Sequence, residues 1–151
     1  MGRMTALLLA FALLFAACGD DDGGGDDVST GGDGGSTPVT YEDLDGKTFT
    51  STSVTGHELV ADSTIDLTFA EQRISALAGC NTQNGDVDVA DGTLVVEQLA
   101  STMMACDDPL MAQDQWLAGF LEGGPEVALD GETLTLTSGD EVIELAQQQT
   151  G

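Results

Sequence analysis

From Tyr41 onward the chain alternates apolar and polar residues one by one, and short glycine-bearing turns interrupt the alternation. Ile65, Leu67 and Phe69 alternate with Thr64, Asp66 and Thr68, and Val87 and Val89 with Asp86 and Asp88. Leu134 and Leu136 alternate with Thr133, Thr135 and Thr137. Successive side chains of a strand point to opposite faces, so this pattern specifies strands with one buried and one wet face. Further strands are expected over Lys47–Val54, Arg73–Ala78, Leu94–Val96, Val127–Leu129 and Val142–Leu145. The expected total is about eight short strands.

The punctuation supports hairpins. Asp91-Gly92, Asp130-Gly131 and Gly139-Asp140 each separate two such runs. Asp-Gly pairs suit type I′ turns, whose two central residues both need positive φ. Consecutive hairpins give an antiparallel meander, which closes into a barrel or sandwich to avoid open edges. The expected fold is therefore mainly β, a small antiparallel barrel-like domain.

One segment breaks the rhythm. Asp107-Asp108-Pro109 offers a cap and an early proline, and Gly123-Gly124 offers a stop. Between them Leu110, Leu117, Phe120 and Leu121, with Trp116 at the margin, form an apolar stripe at helical spacing. A single helix over about 109–122 is expected to lie on the sheet or plug one mouth of the barrel. Trp116 is assigned to the core rather than to a binding site.

Charge excludes whole classes of partner. The chain carries 3 Lys plus Arg against 27 Asp plus Glu, a formal net charge of −24. Such a surface repels nucleic acid and anionic headgroups. The acidity reads as solubility or adaptation to a saline milieu, with cation binding as the alternative.

The amino terminus reads as an address. Residues 5–17 are apolar, Arg3 precedes them, and Ala16 and Ala17 stand directly before Cys18. A spanning helix needs about 20 residues, whereas a secretory signal core needs roughly 7–15. The small pair before a cysteine resembles a lipobox, in which Cys18 is diacylglycerated and becomes the first residue of the mature chain. Phe15 stands where such sequences usually have Leu. Buried acyl chains contribute about 0.8 kcal/mol per CH₂ and hold a protein on a membrane without a spanning helix. The expected layout is a signal peptide at 1–17, an acidic tether at 18–40 and a folded domain at 41–151. The tether, CGDDDGGGDDVSTGGDGGSTPVT, has too few apolar residues to offset its ordering entropy. Its aspartates, Asp20, Asp21, Asp22, Asp26 and Asp27, lack the alternating spacing and terminal Glu of a calcium loop.

With Cys18 lipidated, Cys80 and Cys106 remain. An even pair outside the cytoplasm reads as a disulfide, which would stabilise the domain by about 3–4 kcal/mol on the chain-entropy model. Zinc is a poor alternative, because His57 is the only histidine. His57 itself reads as a solvated loop residue. No metal or cofactor is expected. One loop histidine and two oxidised cysteines give nucleophilic catalysis nothing to work with, and no spacing among the acids selects a glycosidase pair, so the chain is not expected to be an enzyme.

Around these cysteines run Ala78-Gly79-Cys80-Asn81, then Gly85, then Leu99-Ala100-Ser101-Thr102-Met103-Met104-Ala105-Cys106. In order and spacing they resemble the META domain of the HslJ-like heat-shock lipoprotein family. That family shows a Gly-Cys-Asn segment, a glycine shortly after, and a Thr-x-Met-x-Cys segment before its helix. Leu134-Thr135-Leu136 resembles its closing strand. The resemblance covers most of residues 44–146 and implies a small β-barrel-like domain with one helix. Thr82 and Gln83 stand where the family often has Arg and an aromatic, and Phe49 stands where a Trp is common. The signature residues Gly79, Asn81, Gly85, Thr102 and Met104 are read as structural. Asn81 is expected to bond backbone at a turn, Gly85 to serve positive φ or close packing, and Thr102 to satisfy a backbone group near the helix start.

The resemblance implies a non-enzymatic envelope or cell-surface module linked to stress response, attached to the cell or outer membrane by its lipid and interacting with an unknown envelope protein. The alternative is a lipocalin-like carrier holding a small apolar ligand or lipid in the barrel, although about eight short strands leave little interior room.

Overall fold

The computed structural model describes residues 38–149. The expected signal peptide, the lipidated Cys18 and nearly all of the tether lie outside these residues. No described helix is long and apolar enough to cross a membrane.

The described chain forms α1 (Tyr41–Leu44), β1 (Thr48–Thr55), β2 (Asp66–Ala70), β3 (Arg73–Leu77), β4 (Thr82–Ala90), β5 (Thr93–Val96) and β6 (Ala100–Ser101). It continues with α2 (Asp108–Glu122), β7 (Glu126–Asp130), β8 (Thr133–Ser138) and β9 (Glu141–Gln147). All strand pairings are antiparallel. The order β3-β2-β1-β9-β8-β7-β5-β4, with β3 also paired to β4, closes the sheet into a barrel. The meander expectation therefore holds, and closure removes the open edges. The short β6 lies outside the ring on β4, where Gln83 faces Ser101 and Asn84 faces Ala100.

The alternation sets the faces. Phe49, Leu67, Phe69, Ile74, Ala76, Val87, Leu94, Leu134, Leu136, Ile143 and Leu145 all point inward and are buried. Phe49 and Phe69 meet edge to face with centroids 6.0 Å apart, the geometry that aromatic quadrupoles favour. The barrel interior is thus filled with side chains.

Turn chemistry follows the sequence with corrections. Asp91 and Gly92 have φ of 51° and 75°, as a type I′ turn requires. In the next hairpin Asp130 still pairs with Thr133, so Gly131 and Glu132 are central, and Gly131 alone has positive φ, 59°. Gly139, φ 60°, likewise leads its turn alone. The β2–β3 turn carries no glycine, yet Glu71 and Gln72 have φ of 55° and 57°.

That strained turn explains the unexpected α1. Thr40 donates its backbone N–H and its hydroxyl to Asp43, fixing the start of the short helix. Tyr41 is then buried against the β2–β3 turn. Its phenol accepts from the Gln72 N–H at 2.8 Å and donates to Asp45 Oδ1 at 3.0 Å. Asp45 Oδ1 also accepts from the Glu71 N–H. One phenol and one carboxylate therefore hold two non-glycine residues in the left-handed region. Val39, expected in the tether, packs partly against the core.

Helix α2 begins one residue earlier than expected and closes the opposite mouth. Asp107 occupies the N-cap position without a side-chain cap bond, and Pro109 lies in the first turn. Gly124, φ 71°, ends the helix. Leu117, Phe120 and Leu121 are buried as the stripe predicted, but Gln113 and Asp114 are buried with them.

Candidate functional site

Four of the five signature residues, Gly79, Asn81, Thr102 and Met104, converge where the end of β3 and the start of β4 meet α2. Gly79 lets the helix approach, because a Cβ there would lie 3.1 Å from both Leu110 Cδ2 and the Leu110 carbonyl oxygen. The chain then turns through Cys80, which is disulfide-bonded to Cys106 with Cα atoms 6.4 Å apart. The bond ties the β3–β4 corner to the approach to α2.

Asn81 is the centre of the corner. It is 6 % exposed. Its Oδ1 accepts from the Met104 N–H at 2.8 Å and the Thr102 hydroxyl at 3.0 Å. Its Nδ2 donates to the Met104 carbonyl and to Asp114 Oδ2. The amide thus bonds backbone, as expected, but with ordinary negative φ. Thr102 differs from its expected role. It accepts from the Thr82 N–H and so pins the start of β4 rather than the start of the helix. Gly85 resolves to close packing, since a Cβ would stand 2.6 Å from the Glu97 carbonyl oxygen. The chain bulges over it between β5 and β6, as the register change from Val87–Val96 to Asn84–Ala100 records.

Asp114, which is not among the signature residues, organises the corner. It is 4 % exposed. Its carboxylate accepts from the Cys80 N–H, the Asn81 N–H and Asn81 Nδ2. Its own carbonyl accepts from Gln83 Nε2 at 2.5 Å. Gln113 works beside it: its Nε2 donates to the Ala78 carbonyl and to Ser63 Oγ, and its Oε1 accepts from the Val60 N–H. The missed signal was spacing. Asp114 follows Leu110 by one helical turn and precedes Leu117 by another, so it lies on the very stripe that burial selects. A polar residue on such a stripe needs buried partners.

Two further side chains meet away from this corner. His57, expected in solvent, lies half-buried and flat on Trp116, with ring centroids 3.8 Å apart and planes 5° apart. Trp116 Nε1 donates to Glu141 Oε1. Trp116 therefore sits at the edge of the core, closing the β1–β2 loop over the helix. Among the described residues no three His, Cys, Asp or Glu side chains group to hold a metal ion.

Beside the corner lies an open groove of about 420 Å³ between the segment after β6 and α2, lined by Gln83, Leu99, Met103, Met104, Met111 and Asp114 among others. Met103 is 96 % exposed and Met104 61 %.

A closed antiparallel barrel, stoppered by one helix and stapled by a disulfide at that helix, defines the structural class. Residues 42–150 match the META domain family, and the chain belongs to it. It is 28 % identical over 107 residues to the heat shock protein HslJ of Escherichia coli (strain K12), covering 70 % of this chain and 76 % of that protein. A protein solved by NMR superposes with TM-score 0.60 at 29 % identity, covering 72 % of this chain and 94 % of the other. Another NMR structure, from Burkholderia xenovorans, has TM-score 0.62 at 17 % identity over 83 % of this chain and 97 % of the other, a likeness of fold alone.

Proposed function

We propose that the protein is a lipid-anchored extracytoplasmic lipoprotein whose META domain serves as a non-enzymatic interaction module of the cell envelope under stress. The observation that carries this reading is how the signature spends its polar groups. Asn81, Thr102 and Asp114 bond one another and nearby backbone, as a scaffold does. What they hold outward is the apolar, exposed Met103-Met104 pair, the kind of surface that marks contact with a partner. The disulfide suits an oxidising compartment, and the apolar segment ending in Ala16-Ala17-Cys18 supplies an anchor. The similarity to a heat shock protein supports the link to stress. A carrier function would require the buried interior, Phe49 and Phe69 included, to part for its cargo.

Fractionation tests the anchor: Cys18→Ala moves the protein from the membrane to the soluble fraction, and a variant still fully in the membrane overturns the lipoprotein reading. Crosslinking in cells tests the module. An envelope partner recovered with the wild type and lost with Met103→Gln/Met104→Gln supports it, and equal recovery with both overturns it.

A further inference from the structure

All three methionines of the folded domain line one groove. The chain has 5 Met. Met1 and Met4 precede the described residues, and Met103, Met104 and Met111 all border the groove between the β6 segment and α2. Unbranched thioethers form adaptable apolar surface, and Met103 and Met104 are too exposed to serve the core. Leu99 and Ala118 extend the same wall.

The one ionisable side chain that lines the groove is an acid. Asp114 borders it, and the bonded partners of this carboxylate are N–H groups of Cys80 and Asn81, with no cationic side chain among them. Gln83 borders it too, 3 % exposed. Its Nε2 is bonded to the Asp114 carbonyl, while its buried Oε1 has no hydrogen-bond partner. A buried acceptor left unmade costs about 1–3 kcal/mol, so this oxygen favours an incoming donor. Lys47 and Arg73, the basic residues among those described, do not line the groove. Anions are therefore repelled. Positive charge, N–H donors and an apolar body are together what the lining complements, and the groove volume lies within the range of small-ligand sites.

We propose that this groove binds a small organic cation of the alkylammonium type, its hydrocarbon against Met103, Met104 and Met111, an N–H donor toward Gln83 Oε1 and its charge near the Asp114 carboxylate. The inference deepens the interaction-module reading by naming a ligand class for that face, and it depends on neither the anchor nor the stress role.

The test titrates the full chain, isotope-labelled at its methionine methyls, with octylammonium, octyltrimethylammonium and octanoate. Octylammonium is expected to shift the methyls of Met103, Met104 and Met111 saturably. Octyltrimethylammonium, which keeps the charge but has no N–H, is expected to bind about tenfold more weakly. Octanoate is expected to shift none of them. By calorimetry, Met103→Gln/Met104→Gln/Met111→Gln is expected to lose octylammonium binding while melting with the wild type, since these side chains support no core. Equal shifts with octanoate, equal affinity for the trimethyl compound, or undiminished binding by the triple variant would each overturn the proposal. A groove silent to octylammonium beside a recovered envelope partner overturns this inference alone, and binding without any partner overturns the module alone.

Discussion

At the residue scale, Asp114 carries the most consequence. Its carboxylate is the acceptor for both backbone N–H groups that follow the Gly79 turn. Asp114→Ala leaves buried donors unpaired, at about 1–3 kcal/mol for each group lost, so the expected cost is about 3 kcal/mol, read by urea denaturation. A loss under a tenth of that would show that water replaces the carboxylate. Tyr41 offers a direct spectroscopic check, because it is the only tyrosine. Burial, then the hydrogen bond and charge of Asp45, push its phenol above the ordinary value of 10.0. The folded state holds this proton more tightly than the unfolded chain does. Its stabilisation is complete below the unfolded value and is lost as pH rises through the folded one. Ultraviolet titration should place phenolate formation above that of a free tyrosine, with stability falling across the same interval. At acid pH, Asp43 has the opposite sign. The Thr40 backbone N–H, then its hydroxyl, hold its carboxyl below the usual range, so its contribution is present above the unfolded value and lost as pH falls through the folded one.

At the scale of elements, the weakest link in the ring is β5 to β7. A single residue pair, Thr93 with Glu126, registers these strands, and backbone bonds from Leu94 to Pro125 and from Val127 to Gly92 support it. Opening there releases α2 with its β7 connection, so the disulfide, which ties the approach to α2 back to β4, guards the same seam. Reducing Cys80–Cys106 is expected to cost about 3–4 kcal/mol. A melting temperature unchanged by reductant would contradict it. The β2–β3 turn offers the converse. Replacing Glu71-Gln72 by Asn-Gly suits the left-handed φ at both positions and is expected to stabilise by about 1 kcal/mol. Loss of stability instead would mean that Asp45 and Tyr41 already remove the strain.

At the scale of the molecule, charge is largely uncompensated. Among the described residues the one ion pair is Arg73 with Asp86, 2.7 Å apart and exposed on both sides, and such pairs contribute little. With a net −24 over the chain, self-repulsion favours expansion. Salt at about 0.1 M screens beyond about 10 Å, so the melting temperature should rise from low to physiological ionic strength. A flat response would show that the acids are spaced beyond mutual reach.

Alternation, turn residues and an even cysteine pair made the eight strands of the ring, most hairpins, the α2 span and the disulfide legible in the sequence, but not β6. These are local properties, set by the side-chain direction of a strand and the φ demands of a turn. The ring closure of β3 on β4, the bulge over Gly85, the capping of Glu71-Gln72 by Tyr41, and the burial of Gln83 and Asp114 were decided only by the tertiary structure. Every inward apolar residue looks alike along the chain, so alternation names a face without naming its neighbour. A polar side chain acquires its role only when the fold brings distant backbone donors to it, as Cys80 and Asn81 come to Asp114.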